Sequence, residues 1–283
     1  MNINWFPGHM KKTLEDMEKK LKLVDFCVEI IDARIPYSSQ NPLFKEIFKN
    51  KKRLIVFNKI DLSDESKNRE WIEFLKDEST FIVPYNGKKP NPSQIVRAAF
   101  DLMEEDIKRK KERGIQSGPL RAMIVGIPNS GKSTFINGIS GRKSTKTGNR
   151  PGITKTNQWI KIHPKLHLLD TPGVLWPKFE NNKIGRHLAF TGAIKDEIMD
   201  RETLALRLIE ELMVLQPKAL EQRYHVEIND RSPIQVMDEI ARSRGAIRKG
   251  AEVDYEKVSA IILDEFRKGV LGRITLEAPY DFY

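Results

Sequence analysis

The sequence predicts an α/β fold, a mostly parallel sheet with helices on both faces, followed by a small C-terminal all-helical domain. Three observations carry that prediction. Short apolar runs recur, each followed at once by turn or polar residues; segments of helical period stand between them; and after about Gly173 no strand-like run appears. Strands alternating with helices become parallel neighbours in one sheet, and such a sheet needs cover on both faces.

In chain order, Met10, Leu14, Met17 and Leu21 are spaced as one face of a helix. The runs Phe26 to Ile31, Leu54 to Phe57, Phe81 to Val83, Met123 to Val125 and Leu166 to Leu169 read as buried strands. Ile95, Ala99, Leu102, Met103 and Ile107 mark a helix that runs into the basic stretch Lys108-Arg109-Lys110-Lys111. The one clear linker, Gly114-Ile115-Gln116-Ser117-Gly118-Pro119, follows. Beyond Gly173, Leu204, Leu208, Leu212 and Leu215 form a helical face that Pro217 stops. Ser232-Pro233-Ile234-Gln235 has the form of a capping box with proline at the first helical position, and Val258, Ile261, Ile262 and Phe266 form a stripe that Gly269 caps. The expected division is 1–174 and 175–283.

The chain has 283 residues, room for one large domain or two smaller ones. Its 39% hydrophobic and 31% charged residues supply a core but are too polar for a membrane bundle. No basic segment followed by an apolar stretch opens the sequence, so secretion is not expected. The single cysteine, Cys27, sits in an apolar run as a buried reduced thiol, which suits the cytoplasm. With 49 basic against 39 acidic residues the net charge is +10, which favours a polyanionic partner.

Ligands of parallel sheets bind beyond the carboxyl ends of the strands, so the residues after each apolar run are the ones that matter. Met123-Ile124-Val125 leads into Gly126-Ile127-Pro128-Asn129-Ser130-Gly131-Lys132-Ser133-Thr134, the phosphate-loop pattern between a strand and a helix. Glycines let the backbone wrap a phosphate, N–H groups point inward, and the following helix presents its positive end. Lys132 is placed to reach the β- and γ-phosphates and Ser133 to bind Mg²⁺. Leu166 to Leu169 delivers Asp170-Thr171-Pro172-Gly173 to the same edge, where Asp170 can hold Mg²⁺ through water and the Gly173 N–H can meet the γ-phosphate. Between them, in Arg150-Pro151-Gly152-Ile153-Thr154, Thr154 is the candidate to complete the metal shell.

Base selection is assigned to Asn58-Lys59-Ile60-Asp61 after the second strand. The Asp61 carboxylate can accept from N1–H and N2–H₂ of guanine, whereas adenine leaves it unpaired. The Lys59 stem covers the ring and Asn58 braces the loops. After the next strand, Asn86-Gly87 lies where a backbone N–H could meet guanine O6.

These elements resemble the five guanine-nucleotide motifs of the Ras-like GTPases, with the base-reading motif ahead of the phosphate loop. That order is similar to the circularly permuted GTPases, with the linker at 114–119 joining the old ends. Trp5-Phe6-Pro7-Gly8-His9-Met10, Asp32-Ala33-Arg34-Ile35-Pro36 and Asp170-Thr171-Pro172-Gly173-Val174-Leu175-Trp176-Pro177 are similar to the ribosome biogenesis GTPase A family, over essentially the whole chain. The resemblance implies GTP as ligand and substrate, GDP as product, and assembly of the large ribosomal subunit, with hydrolysis stimulated on the particle. It further implies partners in rRNA and ribosomal proteins, RNA contact through the C-terminal helices, no membrane, and a monomer off the ribosome. Val174 stands where Ras-like proteins carry a water-orienting glutamine, and an aliphatic side chain cannot do that work; by analogy with the family His9 is the catalytic candidate. Asn129 resembles the asparagine that helps hold K⁺ in potassium-stimulated relatives; read alone, it suits a left-handed turn.

Basic stretches at Lys49 to Arg53, Lys108 to Lys111, Arg142-Lys143 and Arg242 to Lys249 could neutralise RNA phosphates if they converge, though no aromatic RNA-recognition signature accompanies them. Two other readings remain open at this level. The phosphate loop by itself suits an ATPase or small-molecule phosphotransferase, and the positive charge with Val174 suits an RNA-binding scaffold whose nucleotide site is idle.

Overall fold

The computed structural model describes residues 8–116, 118–141, 158–196 and 199–282. Each apolar run becomes a strand: β1 (Phe26–Asp32), β2 (Arg53–Asn58), β3 (Thr80–Tyr85), β4 (Leu120–Gly126) and β6 (Leu166–Asp170). A further strand, β5 (Gln158–His163), pairs antiparallel with β6. The sheet order is β3-β2-β1-β4-β6-β5, parallel except at that edge. The chain steps outward from β1 to β3, then returns to set β4 beside β1. The carboxyl ends of β1 and β4 therefore flank the point where strand order reverses, the usual ligand crevice of an open α/β sheet.

Period-two alternation fills both faces. Phe26, Val28 and Ile30 of β1 join one core with residues of α4 (Pro92–Glu112) and α5 (Lys132–Ser140). Cys27 faces the other way, into a core shared with α1 (Gly8–Lys20), α2 (Pro42–Ile47) and α6 (Asn182–Phe190); Ile31 on that same face packs with Trp71 of α3 (Glu65–Leu75). Burial pushes the Cys27 thiol up to about 12, so it stays protonated and inert at neutral pH.

The remaining chain is helical: α7 (Arg201–Leu215), α8 (Pro217–Tyr224), α9 (Pro233–Ser243) and α10 (Tyr255–Lys268). Their apolar faces are continuous with the core beneath α6, which also holds Met123, Val125 and Val174. The capping box forms, the Ser232 N–H donating to Gln235 Oε1 at 2.8 Å, and Gly269 takes the left-handed cap at φ 75°. No described helix is long and apolar enough to cross a membrane.

Local expectations differ from the structure in four places. β5 carries no apolar run because it is an edge strand that buries only one side, with Ile160 inward and Trp159 44% exposed. Phe81, on the opposite edge, is 38% exposed for the same reason. The face of α7 runs through Leu204, Ala205, Leu208, Ile209 and Leu212, leaving Leu215 outside. Pro217 does more than end α7; it occupies the first turn of α8, where its missing N–H costs nothing.

Candidate active site at the carboxyl edge of the sheet

The phosphate loop leaves β4 at Gly126 and enters α5 at Lys132. A side chain at Gly126 would have its Cβ 2.8 Å from both the Ile30 carbonyl and Ser130 Oγ, so only glycine fits. Asn129 and Gly131 take left-handed conformations, φ 58° and 93°, which fold the loop back over the helix start. Lys132 is buried and paired with Asp170 Oδ1 from the end of β6. Ser133 and Thr134 follow in the first turn of α5.

The segment after β6 lies directly on this loop. Thr171 Oγ1 donates to the Ile124 carbonyl at 2.7 Å and the Val174 N–H to the Gly126 carbonyl at 3.3 Å. Gly173 passes so close to Pro128 that a Cβ there would lie 3.0 Å from its nitrogen. Val174 itself is buried in the core. Ser130 Oγ and Asp170 Oδ2 are buried with no hydrogen-bond partner among the described residues. A carboxylate oxygen of that kind is costly unless a cation or donor meets it.

The Asn58–Asp61 loop reaches the same place from β2. Asn58 Nδ2 donates to the Ser130 carbonyl at 2.8 Å, and Asn58 Oδ1 accepts from the Lys59 N–H at 2.8 Å. Lys59, at φ 63°, extends its Nζ to the Asn129 carbonyl at 2.7 Å. Asp61 pairs with the exposed Lys88 at 2.9 Å, and Asn86 Oδ1 accepts from the Lys88 N–H. A Cβ on Gly87 would lie 3.3 Å from the Thr134 methyl. Asn58 and Lys59 thus bond the phosphate loop directly and Gly87 lies against Thr134 of α5, although the loops are about seventy residues apart in the chain. The His9 side chain and the whole of Thr154 lie outside the described residues, as do Arg142 and Lys143.

In the sequence Asp32 and Arg34 stand only as part of the Asp32–Pro36 motif, with no task of their own. Asp32 ends β1 and binds both Arg34, at 2.7 Å, and Lys59, at 2.8 Å. The signal for it was an acidic residue directly after an apolar strand. Burial opposes its charge, but the Arg34 and Lys59 cations outweigh that and hold the carboxyl well below its ordinary range.

The C-terminal helices touch the site at several points. Asn129 Nδ2 donates to the Gly192 carbonyl just past α6. Arg267 of α10 binds Asp196 and donates to the Ala189 and Phe190 carbonyls at 2.8 and 2.9 Å. After α10 the chain returns across the sheet edge: Arg273 donates to the Ile60 and Ser63 carbonyls at 3.1 and 2.8 Å, and the Ile274 N–H to the Leu62 carbonyl at 3.0 Å. Glu277 accepts from the Tyr37 N–H and from His187 of α6, whose other ring nitrogen meets Glu211 at 2.9 Å. Burial disfavours the imidazolium, but hydrogen bonds to Glu211 and Glu277 prevail and raise the His187 pKa. Some of the basic residues are committed to acidic partners: Arg53 pairs with the buried Glu29, Lys52 with Asp106 and the exposed Arg248 with Asp254.

A phosphate loop met by an acidic strand end and by an Asn-Lys-x-Asp loop, with the base-reading strand earlier in the chain, defines a P-loop GTPase of permuted order. Residues 121–239 match the model of the 50S ribosome-binding GTPase family. Ribosome biogenesis GTPase A of Bacillus cereus is 40% identical over 283 residues, covering all of this chain and 96% of that protein. The GDP-bound structure of YlqF shares 25% identity at a TM-score of 0.69, covering 94% of this chain and 100% of that one. GNP-bound YlqF from T. maritima matches at 0.68 and 25% identity, covering 96% and 100%. The chain belongs to the ribosome biogenesis GTPase A family, and it is a GTP-hydrolysing enzyme that binds guanine nucleotides.

Proposed function

We propose that this GTPase acts as a switch in assembly of the large ribosomal subunit, binding rRNA and ribosomal proteins of the particle when GTP is bound. The observation that carries the reading is continuity: the strand that ends in Asp170 leads through residues 171–181, packed on the phosphate loop, into α6 and the helices beyond, and Asn129 of that loop bonds the Gly192 carbonyl. A contact made or lost at the third phosphate is thereby transmitted to a surface rather than dissipated in a loop. The 50S wording of the matching family model supports the choice of subunit.

In this reading residues 1–174 hold the nucleotide and 175–283 contact RNA. Asp61 reads the base, Lys59 covers it, Asn58 braces the two loops, and Asn86-Gly87 borders the ring. Asn129 through Thr134 and Gly173 cradle the phosphates. Ser133, Thr154 and Asp170 hold Mg²⁺, and the buried unpaired Asp170 oxygen fits that ion. When bound, the metal neutralises phosphate charge. Asn129 also borders K⁺, and His9 orients the attacking water. The protein works in the cytoplasm and is monomeric off the particle.

Filter binding to large-subunit particles with GTP and with GDP tests the switch. Retention that is equal with both nucleotides would overturn the switch, and no retention with either would remove the ribosome step. His9→Ala is expected to lower particle-stimulated kcat with little change in GTP affinity, because it acts on the water and not on ground-state binding.

A further inference from the structure

Between the two loops lies a buried charge cluster to which none of these roles gives a task. Asp32 is 1% exposed and sits in register with Asn58 on the neighbouring strand. Its Oδ1 accepts from Arg34 Nε at 3.0 Å and from the Arg34 N–H at 3.1 Å. Its Oδ2 accepts from Arg34 Nη2 at 2.7 Å and from Lys59 Nζ at 2.8 Å. The two-pronged Arg34 contact fixes the plane of the carboxylate, and with it the direction in which the last lone pair points. That lone pair meets Lys59, whose Nζ is shared with the phosphate-loop carbonyl of Asn129.

Arg34 is itself held from the far side. It is 2% exposed, its Nη1 donates to the Arg267 carbonyl at 3.3 Å, and its guanidinium lies 5.6 Å from the Phe266 ring centre in α10. The Leu276 N–H closes on the Arg34 carbonyl at 2.8 Å. A flexible lysine stem is therefore locked in one conformation by a chain of buried contacts that begins in the last turn of the C-terminal helix. Ordering the stem in advance removes an entropy cost that a ligand would otherwise meet.

We propose that Asp32 and Arg34 are positioning residues for guanine-nucleotide binding, holding the Lys59 side chain across the crevice so that affinity depends on an anchor in α10. The inference rests on Lys59 being the wall against the base. Lys59 is faced by Asp32, Arg34 and Asp61, and of these only Asp32 bonds its ammonium, at 2.8 Å. Without that bond the stem loses its fixed end and must be ordered by the nucleotide itself.

The test is calorimetric titration of the full chain with GDP at constant pH. Asp32→Asn is expected to raise the GDP Kd at least tenfold. Arg34→Lys, which keeps the charge and loses the fork, is expected to raise it several-fold, and it decides the matter if Asp32→Asn does not fold. Asp32→Asn combined with Lys59→Met should bind GDP no more weakly than Lys59→Met alone, because both act through the same stem. An Asp32→Asn Kd within twofold of the parent, or additive effects in the double variant, would overturn the proposal. A Lys59→Met variant with unchanged GDP affinity would instead sink the base-wall reading on which it stands.

Discussion

The two sides of the crevice solve their polar problem differently. On the β1–β3 side Asn58, Lys59 and Asp32 find their partners within the protein, from backbone carbonyls or from each other. On the β4–β6 side Lys132 is committed to Asp170, while Ser130 Oγ and Asp170 Oδ2 have none among the described residues. In the proposed reading a base is received by a wall already built, whereas a triphosphate must take Lys132 from its carboxylate. Specificity then belongs to the rigid half and switching to the half that has to exchange partners.

Variants can break this contrast, and the largest effect is expected on the rigid half. In that reading Asp61→Ala removes the carboxylate that guanine pairs and adenine would strand, and should cut the preference for GTP over ATP by up to about 10⁴-fold; competition of both nucleotides for one labelled ligand measures it. On the exchanging half, Lys132→Ala strands the Asp170 carboxylate and should lower stability by about 3–5 kcal/mol, with Lys132→Ala/Asp170→Ala recovering much of the loss. Urea unfolding without nucleotide reads both, and a single variant as stable as the parent would mean that the pair is not a buried one. Gly131→Ala links the halves. Its Cβ would collide with Asn58 Nδ2, so the bond to the Ser130 carbonyl must yield, at about 1–3 kcal/mol in the same assay.

The smallest effect sharpens the seam with the C-terminal helices. His187 has a raised pKa, so its contribution is fully present below its unfolded value of about 6.5 and fades as pH rises through the folded value. Melting temperature should drop by about 2–4 °C over that window for each kcal/mol lost. His187→Gln should start lower and show a flatter profile; an equal slope would place the titration elsewhere.

What was legible in the sequence was whatever the backbone writes locally. The phosphate loop and the Asn58–Asp61 loop are runs of consecutive residues whose geometry follows from glycine, lysine and aspartate in fixed order, and strands buried on both faces announce themselves as unbroken apolar runs. Edge strand β5 did not, since half its side chains meet water. Nor could Arg34 be given work, because its second anchor is the carbonyl of Arg267, 233 residues away. The same holds for Glu277, which meets Tyr37 and His187 across 240 and 90 residues and belongs to no motif of its own. Charge pairs at such separations leave no periodicity to read.

Arg273 reaches the Ile60 carbonyl from 213 positions downstream. During translation the Asn58–Asp61 loop is therefore made long before this strap exists, and a nascent polypeptide halted ahead of residue 273 should hold that loop less firmly; in the proposed reading it should also retain GDP poorly.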